Sequence, residues 1–154
     1  MPTVTVAVDD PARSDVQALV TRHLAFARAH SDPGAVFALD GDSLADPSTT
    51  LVAARVHGRL LGIGALRDLG AGHGELKSMH TAAEARGTGV ATAVVGCLLD
   101  LARARGHHRV SLETGAAEAF RPARGLYARC GFVTCGPFGG YPADTDSVFM
   151  TIAL

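Results

Sequence analysis

No charge of one sign dominates this chain. Its 154 residues carry 14 Lys and Arg against 15 Asp and Glu, a formal net charge of -1. That balance argues against a nucleic-acid module, which carries a basic stripe, and against a polybasic membrane-surface protein. Lysine is nearly absent: Lys77 is the only one, and arginine supplies the rest of the positive charge. No stretch approaches the roughly 18 apolar residues of a membrane span. Met1 to Asp10 has neither the basic nor the apolar region of a secretory leader. Cys97, Cys130 and Cys135 form an odd set without CxxC spacing, which supports neither a disulfide framework nor a zinc knuckle and fits a reducing, cytoplasmic setting. Aromatics are scarce at 5%, but 47% of the side chains are apolar, enough for one core in one domain over 1–154.

Apolar periodicity orders the elements. Thr3 to Val8 alternates as a strand. Asp10-Pro11 is a helix start, with the carboxylate placed to accept unpaired N–H groups and proline at the first turn. Val16, Leu19, Val20, Leu24 and Ala27 then make a helical stripe as far as His30, stopped by Ser31-Asp32-Pro33-Gly34. Residues 35–48 read either as one short helix or as a loop. Thr50–Val56 and Leu60–Leu66 flank His57-Gly58-Arg59 as a hairpin, with Gly62 and Gly64 marking a bulge or a close backbone approach. Glu75 to Thr81 is a further strand, with Glu75, Lys77 and Met79 on one face and Leu76, Ser78 and His80 on the other. A broad apolar face predicts a helix over Gly89–Arg105, capped by Gly106. Arg109–Glu113 is a strand, Pro122–Arg129 a helix stopped at Gly131, and Phe132–Thr134 and Ser147–Ala153 the last strands. This order predicts an α/β (α+β) sandwich around one mixed sheet.

Between a strand and the longest apolar helix lies Arg86-Gly87-Thr88-Gly89-Val90-Ala91. Small residues there let the backbone turn tightly and gather N–H groups at a helix N-terminus, a geometry suited to phosphate, and Arg86 adds charge. No GK[ST] follows, and the GxGxxG order is missing. Arg86, Gly89 and Ala91 stand at the fixed positions of Gln/Arg-x-x-Gly-x-Gly/Ala. About 40 residues on, Leu126-Tyr127-Ala128-Arg129-Cys130-Gly131-Phe132 matches Leu-Tyr-x-x-x-Gly-Phe. On these two motifs the chain resembles the GCN5-related N-acetyltransferases (GNAT) along essentially its whole length.

The resemblance implies a splayed mixed sheet whose fourth and fifth strands part to admit acetyl-CoA. It implies Met79, His80 and Thr81 beside the acetyl and pantetheine portions, and Arg86, Gly87, Thr88, Gly89, Val90, Ala91 and Thr92 around the pyrophosphate. Arg121 and Arg124 would neighbour the outer phosphates, and Tyr127 would donate to the CoA sulfur. Seven residues before Tyr127, where the family often has Asn, this chain has Phe120. Direct attack by a neutral amine needs a base, for which Glu75 and Glu113 are the candidates; a carboxylate serves near neutral pH only if burial raises its pKa. His80 is a candidate proton shuttle. His73, His107 and His108 lack acidic partners at ligand spacing, so no metal is expected. Phe138 and Tyr141 either form an apolar lid or cover the sheet end.

The expected activity is acetyl transfer to a small-molecule amine. The alternatives are a catalytically silent CoA-binding module, or transfer to oxygen or of a longer acyl group. Residues 31–48, 67–74 and 136–146 are expected to choose the acceptor, and a homodimer through a sheet edge is the expected assembly.

Overall fold

The structure, a computed structural model, describes residues 3–31, 41–143 and 146–154. Its elements run β1 (Thr5–Val8), α1 (Ser14–His30), α2 (Gly41–Leu44), β2 (Thr49–Val56), β3 (Arg59–Gly70), β4 (His73–Thr81), α3 (Val90–Ala104), β5 (Arg109–Gly115), α4 (Arg121–Arg129), β6 (Val133–Cys135) and β7 (Ser147–Ala153). Seven strands form one mixed sheet in the order β1-β2-β3-β4-β5-β7-β6. Every neighbouring pair is antiparallel except β4 and β5. Of the ambiguous stretch 35–48, residues 35–40 lie outside the described residues, and α2 follows them with Leu44 buried.

Helix α1 and the β3–β4 hairpin differ from the sequence reading. Helix α1 begins at Ser14 rather than at Pro11, and its cap residue Arg13 makes no side-chain capping bond. The Asp10 carboxylate accepts the Ala12 N–H at 2.8 Å and its carbonyl accepts the Arg13 N–H at 3.2 Å, so Asp10-Pro11 closes a turn before the helix. Residues 67–74, expected to help choose the acceptor, extend β3 and β4 toward each other. Ala71 (φ 54°) and Gly72 (φ 72°) make the hairpin turn. The His57-Gly58 turn between β2 and β3 has the same left-handed pair, φ 49° and 79°.

Helices α3 and α4 cover one face of the sheet. Val90, Val94, Val95 and Leu98 of α3 pack with Val52, Leu66, Leu76, Val110, Leu112, Tyr127 and Met150 in the larger core. Helix α1 covers the other face over β2 and β3, where Val16, Leu19 and Val20 meet Leu51, Ala53, Ile63 and Ala65. The glycines of β3 mark close approach: a Cβ at Gly62 would stand 2.8 Å from Val90 Cγ1, and one at Gly64 2.7 Å from Val94 Cγ1.

Strand β4 carries a bulge that rearranges its faces. Ile63 pairs with His80 and Ala65 with Lys77, so Ser78 and Met79 together face Gly64, and Ser78 takes φ 56°. The alternation expected from the sequence breaks there. Met79 joins Leu76 against the α3 core, while Lys77 and His80 come onto the α1 side.

Candidate active site

The parallel ladder between β4 and β5 runs only from His73↔Arg109 to Leu76↔Leu112. Beyond it β5 stays with β7 through Gly115↔Ser147, while β4 stays with β3 through Thr81↔Gly62. The two strands thus part, as the splayed sheet requires, and a cleft of about 510 Å³ fills the gap. That volume lies in the usual range for small-molecule sites.

One end of the cleft is the start of α3, lined by Arg86, Gly87, Gly89, Val90, Ala91 and Thr92. Gly87 (φ 75°) and Gly89 (φ 85°) both adopt left-handed backbone, which a side chain would strain. They wrap the chain around a helix N-terminus whose first N–H groups lack intrahelical partners and carry the positive end of the dipole. Thr88 is not in the wall; its hydroxyl donates to the Ala85 carbonyl and ties the loop shut. With Arg86 beside it, the arrangement has the geometry and charge to hold a phosphate-bearing group.

Both parted strands contribute to the wall, Leu76–Thr81 from β4 and Leu112–Gly115 from β5. The Ser78 hydroxyl is buried in this wall and meets no partner among the described residues. A buried polar atom of that kind fits a polar ligand arm in the gap. Tyr127 enters from α4, 6% exposed, and burial followed by Cys130 and Glu113 pushes its hydroxyl pKa up, so it stays protonated. Glu113 lines the same cleft. Burial raises its carboxyl pKa, opposed by the nearby Ser147 hydroxyl and the charge of Lys77 and reinforced by Glu75.

Glu75 is placed differently. Only 2% exposed, it is absent from the cleft wall. The Tyr141 hydroxyl donates to its Oε2, and Lys77 Nζ stands 3.4 Å from the same oxygen. Lys77 also donates to the Tyr141 oxygen at 2.9 Å. Tyr141 itself lines the cleft while Phe138 packs behind it, with ring centroids 5.2 Å apart and Phe138 5.8 Å from Phe149. The loop 136–143 therefore both lines the cleft and covers the sheet end.

His80 faces His23 of α1, with their Nδ1 atoms 3.3 Å apart. Burial lowers both pKa values to about 4, aided at His23 by His80 and Lys77 and at His80 by Arg86 and Arg22. Both rings are neutral at neutral pH, one donating and the other accepting. Phe26 and Phe120 close this side, ring centroids 5.3 Å apart. In place of the family's frequent Asn, Phe120 lies over Gly115, where any Cβ would run into the ring.

Arg124, expected near phosphate, is not in the wall. Its guanidinium donates to the carbonyls of Gly115 (2.7 Å) and Ala117 (3.0 Å) and fixes the turn after β5. Arg121 pairs with Glu118 at 3.1 Å on the surface. Among the described residues no three His, Cys, Asp or Glu converge as metal ligands. Burial raises the thiol pKa values of Cys97, Cys130 and Cys135, the wrong direction for a thiolate nucleophile. The sequence reading missed the α1 wall. His23, Phe26 and Ala27 stand at i, i+3 and i+4, so the spacing was present, but which strand bend they meet depends on the β4 bulge.

Residues 16–132 match the acetyltransferase (GNAT) family. The chain belongs to that family. It is 41% identical over 149 residues to an uncharacterized N-acetyltransferase, YsnE, of Bacillus subtilis, covering 97% of this chain and 99% of that protein. An IAA acetyltransferase of Azospirillum brasilense is 35% identical over 151 residues, 97% of each chain. A crystal structure of a proposed acyl-CoA N-acyltransferase from Klebsiella pneumoniae superposes with a TM-score of 0.81 at 26% identity, covering 99% of this chain and 98% of that one. This GNAT chain thus has, in general terms, the activity of an acetyl-CoA-dependent acetyltransferase.

Proposed function

We propose that the protein moves the acetyl group of acetyl-CoA directly onto the amine of a small-molecule acceptor, with Glu113 as base and Tyr127 as acid. The observation that carries this is the presence of both side chains in one cleft where β4 and β5 part, with pKa values raised in the senses their roles need. Glu113 takes the proton from the incoming ammonium. The neutral nitrogen attacks the thioester carbonyl and forms the carbon–nitrogen bond, the carbon–sulfur bond breaks, and the Tyr127 hydroxyl gives its proton to the departing sulfur; the nitrogen's surplus proton then restores Tyr127, and Glu113 releases its own proton to solvent. The loop Arg86–Thr92 holds the pyrophosphate, while backbone groups of Met79, His80 and Thr81 and the Ser78 hydroxyl hold the pantetheine arm. Glu75 is withheld from base chemistry because its carboxylate is engaged by Tyr141 and Lys77.

Release of free CoA, followed with a thiol reagent against pools of amines, tests the proposal. Turnover with at least one pool that falls about 10²-fold or more in Glu113→Gln, and clearly in Tyr127→Phe, is the expected result. Unchanged turnover in both variants would overturn the assignment.

A further inference from the structure

The proposed function leaves Lys77 without a task, although it is the chain's only lysine and its side chain is 8% exposed in the cleft wall. A buried ammonium is costly unless it is paired. Its partners are the Glu75 carboxylate at 3.4 Å and the Tyr141 oxygen at 2.9 Å. An ammonium has three N–H donors, so these two partners leave one. The Tyr141 hydroxyl donates to Glu75 and its oxygen accepts from Lys77 Nζ, so the pair holds the ammonium in place without taking that third donor.

Glu113 lies on the opposite strand of the gap, close enough to feel the charge of Lys77. The acceptor end of the cleft thus presents one cation and one anion across the strand gap. Apolar rings line the same cleft: Phe26 and Phe120 edge to face at 5.3 Å, and Tyr141. Glu113 is the only carboxylate among the described residues of the cleft wall, and the adjacent His23–His80 pair is held neutral chiefly by burial. The second ammonium of a polyamine or aminoglycoside would find no further carboxylate in that wall, and a simple amine would leave the third Lys77 donor without an acceptor.

We propose that the acceptor is a zwitterionic amino acid with an apolar or aromatic side chain, its carboxylate bound by Lys77 and its ammonium delivered to Glu113. This rests on the role given to Glu113 above. The bound orientation lies across the gap, carboxylate toward β4 and nitrogen toward β5, with the side chain against Phe26 and Phe120.

The test compares kcat/KM of the wild-type enzyme for L-phenylalanine, L-leucine, phenethylamine and spermidine at saturating acetyl-CoA. Phenethylamine is phenylalanine without its carboxylate, so their ratio isolates the Lys77 contact. The amino acids should exceed phenethylamine by at least about tenfold, with spermidine poorest, as a buried charge-assisted hydrogen bond requires. In Lys77→Met the ratio should collapse, mainly through KM for the amino acid, in protein shown by calorimetry still to bind acetyl-CoA. Equal or better use of phenethylamine or spermidine overturns the proposal, as does an unchanged ratio in Lys77→Met. If none of the four is acetylated although acetyl-CoA binds, the acceptor assignment fails and the donor reading stands. If acetyl-CoA does not bind, both fail.

Discussion

Glu113 shows how a reactive group is set against stability. Its folded pKa lies above the ordinary carboxylate value of 4.5, because burial penalises its charge. The folded state therefore holds that proton more tightly than the unfolded chain. Its contribution to stability is full below the unfolded value and is lost as pH rises through the folded one. Glu113→Gln, which cannot ionise, should match or exceed the wild type in melting temperature at pH 7, and the difference should shrink as pH falls toward 4. With Glu113 in the proposed role of base, the same titration governs activity with opposite sense, since a base works only when deprotonated. The acidic limb of kcat/KM should lie above the normal carboxylate range and disappear in Glu113→Gln. His23 and His80 behave in reverse. Their pKa values fall from 6.5 to about 4 on folding, so the stability they contribute is full above 6.5 and is lost as pH falls through about 4. Acid unfolding followed by circular dichroism should soften in His23→Gln, which retains a polar group but does not titrate.

Among the elements, β4 and the start of α3 govern what the site can hold, and glycine serves each in a different way. At Gly64 the constraint is space: a Cβ would lie 2.5 Å from Met79 Sδ and 2.9 Å from Leu98 Cδ1. Gly64→Ala should cost about 1–3 kcal/mol in urea unfolding, the range for an overpacked core. At Gly89 there is open space but φ is 85°, so Gly89→Ala should cost about 1–2 kcal/mol through backbone strain and also weaken acetyl-CoA binding. This contrast also marks what the sequence could disclose. Helix α3, the glycine turn before it and the β2–β3 hairpin were legible because each is written in local periodicity or turn residues. The bulge at Ser78 was not, since a non-glycine at φ 56° carries no local signal. From that one residue follow the switched faces of Met79 and His80, and hence the α1 wall of the cleft. The engagement of Glu75 by Tyr141 was equally hidden, because the two are 66 positions apart and meet only through the fold.

At the scale of the molecule, the sheet is two antiparallel blocks, β1 to β4 and β5 with β7 and β6, joined by four parallel residue pairs. The α3 face bridges them with one continuous core, whereas the α1 core covers only the first block. Hydrogen exchange should therefore be slowest in β2 and β3, and acetyl-CoA should add protection chiefly at Lys77–Thr81 and Glu113–Gly115, the edges it would bridge. The chain passes from the first block through α3 and crosses to the second at Gly106–His108, just before β5. A break there leaves the Arg86–Thr92 loop on one fragment and Glu113 with Tyr127 on the other. Neither piece alone holds both the proposed place for the donor and the groups proposed to use it. Two half-genes expressed together should regain CoA release only where their products meet, so the cleft is also a natural cutting line for a split reporter.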